Sequence, residues 1–133
     1  MIRAQYALVC EYFREGKNGT ADFIGAFDRV FAVSVPAQHQ HLAFVVQLVA
    51  DSEDDFGKKM SRVTFVDPDN RLLIELRGAF ELKPTGGSWL SSVRVAFNIN
   101  GLLLPRYGRY HFYFEVDGKR VAQHPLTVAT QPA

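Results

Sequence analysis

A chain of 133 residues with 47% hydrophobic and 22% charged side chains has ordinary globular composition, which argues against a disordered or membrane-spanning protein and fits one domain over Met1 to Ala133. Fifteen Lys and Arg against fourteen Asp and Glu leave a net charge of +1, too little long-range field to gather nucleic-acid phosphates or anionic lipid. Cys10 is the only cysteine, so no intrachain disulfide can form and a reducing, cytoplasmic setting is expected.

Met1 to Phe13 carries one Arg, and its apolar stretch is broken by Gln5 and Glu11, unlike the uninterrupted hydrophobic region of a signal peptide. Ala4 to Phe13 alternates as a strand does, with Ala4, Tyr6, Leu8, Cys10 and Tyr12 on one face and a mixed set including Gln5, Val9 and Glu11 on the other. Lys17, Asn18 and Gly19 supply turn chemistry, since Asn and Gly accept positive φ. The segment Ala21 to Ala32 fits a helical stripe and a strand parity equally by periodicity. Gly25 and the aromatic and β-branched residues around it lower helix propensity, which favours a strand with a bulge at Gly25.

Pro36 and the run Gln38, His39, Gln40, His41 read as a crossing loop. Leu42 to Ala50 is nearly continuously apolar, broken only by Gln47, and is far short of the roughly 20 residues that span a bilayer; it is expected to be a central strand. After the charged loop Asp51 to Lys59, a strand from Lys59 to Val66 is followed by Asp67, Pro68, Asp69 and Asn70, a strong turn, and by a return strand from Leu72 to Arg77 that Phe80 to Lys83 extends or restarts. Pro84, Gly86 and Gly87 form a further loop. Trp89, Val93, Val95, Phe97 and Ile99 then alternate with wetter neighbours, and Tyr110, Phe112, Phe114 and Val116 do so most clearly of all. Asp117 and Gly118 make a hairpin turn, and a parity change in the final strand predicts a bulge near His124 and Pro125.

Short strands, frequent turns and no long helix predict an all-β protein, an antiparallel two-sheet β-sandwich of 7 to 8 strands, immunoglobulin-like or C2-like in topology. The order Tyr6-Ala7-Leu8-Val9-Cys10-Glu11, Asn18-Gly19 before Ile24-Gly25-Ala26-Phe27-Asp28-Arg29, Val66-Asp67-Pro68-Asp69, and Gly108-Arg109-Tyr110-His111-Phe112 leading into Asp117-Gly118 resembles an uncharacterised bacterial family of short single-domain proteins, a domain of unknown function. The resemblance covers nearly the whole chain, supports a strand over Ala21 to Ala32, and implies no activity.

No GxSxG elbow, dinucleotide fingerprint or P-loop is present, so no reaction and no cofactor are indicated. Cys10, or Ser91 with His111 or His124, is a nominal nucleophile set, set against the inertness expected of a mid-strand thiol. His39 and His41, alternate residues of an extended segment, together with Asp51, Glu53, Asp54 and Asp55, are the candidate ligands for Zn²⁺, and the acidic loop, with Asp67 and Asp69, for Ca²⁺. A polar loop, with Asp67 and Asp69 serving the turn, accounts for the same residues without a metal.

The most ligand-like surface is His111, Tyr113 and Glu115 with Arg106, Tyr107 and Arg109, because Tyr and Arg are favoured at binding hot spots. Tyr107 or Tyr110 is also placed to lock a sandwich corner by bonding its hydroxyl to nearby backbone, Tyr110 above all. The expectation is a non-enzymatic interaction domain that binds a protein partner or a second copy of itself. A small-ligand or carbohydrate module and a metal-dependent module are the alternatives, with neither nucleic acid nor membrane as a partner.

Overall fold

A computed structural model describes residues 1–84 and 91–131. Nine strands form among them: β1 Ile2–Glu15, β2 Ala21–Ala26, β3 Arg29–Phe31, β4 Ala37–Ala50, β5 Gly57–Val66, β6 Leu72–Leu82, β7 Ser91–Leu104, β8 Gly108–Val116 and β9 Lys119–Ala129. One sheet has the order β2-β1-β4-β7 and the other β3-β9-β8-β5-β6. All pairings are antiparallel except β3 with β9. The all-β sandwich is as expected, with nine strands in place of seven or eight. The surplus comes from Ala21 to Ala32, which is extended throughout but passes from the first sheet to the second at Phe27 and Asp28, giving β2 and β3. Among the described residues no helix is long and apolar enough to cross a membrane.

The core lies between the sheets. Phe44 of β4 stacks on Phe112 of β8 with ring centroids 5.0 Å apart, and Phe65 of β5 lies 4.4 Å from Phe112. Val9, Val46, Leu48, Val63 and Phe114 complete the same cluster. Val93, Val95 and Phe97 pack against it as their parity predicts; Trp89, Pro132 and the Gly86-Gly87 loop lie outside the described residues. Phe80 extends its strand without a break, so β6 is one element.

Local turn chemistry behaves as the sequence implies. Asn18 and Gly19 take φ of 58° and 77°, Asn70 takes 63°, and Asp117 and Gly118 take 49° and 83°, all in the left-handed region these residues tolerate. The expected bulge in β9 is displaced. Glu115 faces Arg120 and Phe114 faces Ala122, so Val121 is the extra residue and the ladder through His124 and Pro125 is regular. Pro125 is tolerated there because β9 is an edge strand until β3 joins it at Thr127.

β1 departs furthest from its sequence pattern. A register shift between Ala4 and Tyr6 turns Val9 into the inter-sheet core, while Tyr6, Leu8 and Cys10 face away from it. That outer face is nevertheless buried: Cys10, Ala43 and Val45 have no exposure, and Tyr6, Leu8, Phe13, Phe23 and Ala96 pack around them. The β1–β2 hairpin supplies the cover. β1 pairs with β4 only as far as Cys10, beyond which the hairpin folds back across the sheet. Its Phe23 meets the Tyr6 ring edge-on at 5.8 Å, and its tip reaches Arg94 on β7. β4 is therefore covered on both faces, which explains why Leu42 to Ala50 is apolar except for Gln47.

Candidate functional site

The outer face of the second sheet is the best-organised exposed surface. Because Tyr110, Phe112, Phe114 and Val116 point into the core, the strand period of two sends Arg109, His111, Tyr113 and Glu115 outward in a row. Across the ladders, Glu115 sits between Arg62 and Arg120, and Tyr113 between Thr64 and Gln123. These side chains interlock. The Arg120 guanidinium lies over Tyr113, 3.6 Å from the ring centroid, and His111 lies beside Tyr113 with rings nearly parallel at 5.7 Å. A shallow depression of about 400 Å³ opens here, lined by residues that include Arg62, Thr64, Asn70, Leu72, Tyr113 and Arg120.

The face divides electrostatically. At one end Arg62 donates to Glu115 at 2.6 Å and to Glu75 at 2.9 Å, and Glu75 also accepts from Arg77 at 2.5 Å. Hydrogen bonds to Arg62 and then to Arg77 hold the Glu75 carboxyl below its usual range, while Glu75 and then Glu115 raise the Arg62 guanidinium further. Arg109, at the other end of the row, and Arg120, cross-strand from Glu115 with its guanidinium turned onto Tyr113, make no ion pair among the described residues. Burial first, and then the positive charges of Arg109 and Arg120, push the His111 imidazole below its ordinary value.

Four of the six anticipated surface residues, Arg109, His111, Tyr113 and Glu115, thus share this face, whereas Arg106 and Tyr107 do not belong to it. Tyr107 is packed against the core with its hydroxyl donating to the Ala32 carbonyl at 3.1 Å. Arg106 serves the Asp67–Asn70 turn, pairing with Asp69 and with Asp67 at 3.5 Å. Both lie beyond the end of β7, where the chain turns the corner into β8, so their side chains do not follow the alternation of β8. Tyr110 locks that corner as expected, donating its hydroxyl to the Arg106 carbonyl at 2.6 Å and accepting from the Arg106 N–H at 3.0 Å. Gly108, at φ +136°, is required beside it: a Cβ there would stand 2.6 Å from the Pro68 side chain.

The six metal-ligand candidates are not brought together. His39 and His41 border a polar cleft of about 330 Å³ with Glu11, Tyr12, Gln38 and Gln40. His41 stacks on Tyr12 and bonds Asn100 through Nδ1 at 2.7 Å, and His39 leans on Phe27. Asp51, Glu53, Asp54 and Asp55 follow the far end of β4, about 30 Å of extended strand away. Asp51 and Asp55 instead accept from the Met1 ammonium at 3.2 and 2.5 Å, which holds the Asp51 carboxyl low. Among the described residues no three His, Cys, Asp or Glu side chains form a metal-holding group.

Asp67 and Asp69 lie at the opposite end of β5 from this loop. The Asp67 carboxylate accepts from the N–H groups of Asp69 and Arg71, each at 2.8 Å. The nominal nucleophiles are separated too. Cys10 is under the hairpin with its thiol pushed up by burial, Ser91 is buried with its hydroxyl on the Lys83 carbonyl, and His111 is on the outside of the other sheet.

Sequence reasoning missed Arg62, Glu75 and Arg120. Only Arg120 left a local signal, since a two-residue Asp117-Gly118 turn places it opposite Glu115.

The fold and this face define an all-β sandwich bearing an aromatic and arginine-rich sheet surface. Residues 5–129 match the model of a family of unknown function (DUF6941), and the chain belongs to that family. No curated protein matches the chain.

Proposed function

We propose that the chain is a non-enzymatic interaction domain that binds an acidic segment of a protein partner on the outer face of the second sheet. The observation that carries this is the row Arg109, His111, Tyr113 with Arg120 stacked on Tyr113. A planar guanidinium held over an aromatic ring is ordered before binding, so less side-chain freedom is lost when it meets a carboxylate. Arg109 and Arg120, outside the ion-pair lattice, set the sign of the partner, and the mutually paired Arg62, Glu75 and Glu115 frame it. A partner exposed to a cytoplasmic setting is consistent with the single, buried, unpaired thiol of Cys10.

We also infer an immunoglobulin-like strand arrangement. Its support is the parallel pairing of β3 with β9 in the sheet that holds β8 and β5, opposite a sheet of β1, β4 and β7, together with the Tyr110 corner.

Titration of a poly-glutamate peptide into the ¹⁵N-labelled protein tests the binding face. Shifts are expected to concentrate at His111, Tyr113 and Arg120 and to vanish in Arg120→Glu. Shifts spread evenly over the surface, or unchanged in that variant, would overturn the proposal.

A further inference from the structure

The hairpin that covers the first sheet is attached in an unusual way. Residues 11–15 of β1 pair with β2 alone, because the β1–β4 ladder ends at Cys10 opposite Ala43. β2 in turn is the outermost strand of its sheet. Among the described residues the backbone-to-backbone hydrogen bonds that tie the hairpin to the sandwich therefore lie at its base, where Phe27 N–H donates to the Val9 carbonyl at 2.9 Å. At the bend, Gly25 has φ +68° and lies against the Glu11 side chain, a conformation that side-chain-bearing residues adopt at a cost.

Three sets of contacts hold the hairpin down, the first of them Tyr12 stacked on His41 of β4 with ring centroids 5.6 Å apart. Phe13 and Phe23 close over Cys10, Ala43 and Val45. At the tip, the largely buried Arg94 of β7 donates to the Gly19 carbonyl at 3.1 Å, stands 3.9 Å from Glu15, and donates through Nε to the Tyr6 hydroxyl at 3.1 Å. One side chain thus ties both the hairpin tip and β1 to β7.

We propose that residues 11–26 form a hinged lid, bent at Glu11 and Gly25 and latched by Arg94, which opens as a unit over the apolar face of the first sheet while the sandwich stays folded. The stability of such a unit is the sum of its own few contacts and lies below that of the core strands. Its opening uncovers Cys10, Ala43 and Val45 between Leu8 and Ala96, an apolar surface absent from the closed molecule.

The single cysteine reports the opening. The rate at which Cys10 reacts with an aromatic disulfide reagent, measured at rising urea below the unfolding transition, is expected to be nearly independent of urea, because a small opening exposes little surface. Arg94→Ala is expected to speed the reaction by about tenfold to a hundredfold, the factor associated with losing charge-assisted hydrogen bonds, with the urea slope of global unfolding unchanged. Reactivity that follows global unfolding from the lowest urea upward would overturn the lid, as would an unchanged rate in a folded Arg94→Ala. Should that variant not fold, the urea dependence of the unmodified protein decides alone.

Discussion

At the centre of the first sheet's outer surface stand Ala43 and Val45, fully buried, and at the corresponding place on the second sheet stand Thr64 and Arg62 within a lattice of Glu75, Glu115 and Tyr113. Each sheet has one face in the common core. The first sheet leaves its other face apolar and hides it under its own hairpin; the second leaves its other face polar and open. An apolar outer face on a sandwich requires a cover, and here the cover comes from the β1–β2 hairpin of the same sheet. A polar face needs none.

The largest expected contrast is between Phe112, in the inter-sheet core, and Phe23, in the hairpin. Phe112→Ala is expected to cost about 3–5 kcal/mol in urea unfolding. Phe23→Ala, which trims a half-buried ring that only the outer face touches, is expected to cost nearer 1–2 kcal/mol. Equal losses would make the hairpin part of the main core.

An isosteric exchange sharpens the comparison between faces. Val45→Thr places a hydroxyl beneath the hairpin with no evident partner and is expected to destabilise by about 1–3 kcal/mol, whereas Thr64→Val on the polar face is expected to stay within about 0.5–1 kcal/mol of the parent.

At the corner beside the polar face, burial acts to raise the Asp67 carboxyl, but the N–H groups of Arg71 and Asp69 and the charge of Arg106 prevail and hold it low. A carboxyl depressed on folding contributes stability above its unfolded pKa and loses it as pH falls through the folded value. The stability gap between the parent and Asp67→Asn, measured by urea midpoints, is therefore expected to be full near neutrality and to shrink only on acidification below the ordinary carboxylate range.

The smallest effect concerns His111, whose neutral form the fold favours. Its contribution to stability is lost as pH falls below the ordinary imidazole value of about 6.5. Removing one of the two guanidinium charges in Arg120→Gln is expected to raise the His111 pKa in an NMR titration without restoring it fully, since burial, the first cause, remains.

What was legible in the sequence was set locally. Asp67 to Asn70 and Asp117-Gly118 specify their turns through positive-φ residues, and β8 declares its two faces because one meets the core and the other water. The Tyr110 corner followed from a phenol placed near the start of such a strand. The rest depends on contacts distant in sequence. Tyr6, Leu8 and Cys10 form an apolar face that sequence cannot assign to the inner or outer side, because the deciding cover, Phe23, and its latch, Arg94, lie far along the chain. The split of Ala21 to Ala32 into β2 and β3 likewise depends on which sheet captures each half. Arg106 and Tyr107 adjoin the outward row of β8 in sequence, yet the corner turns them toward Asp69 and Ala32.

Native-state hydrogen exchange tests the contrast between the two outer faces most directly. The amides of Phe23 and Ile24 are expected to exchange through a local opening that is insensitive to low urea, while those of Phe112 and Phe114 exchange only with global unfolding. If both pairs exchange with the same free energy and the same urea slope, the hairpin is an integral part of the sandwich and the account of a covered, openable face is wrong.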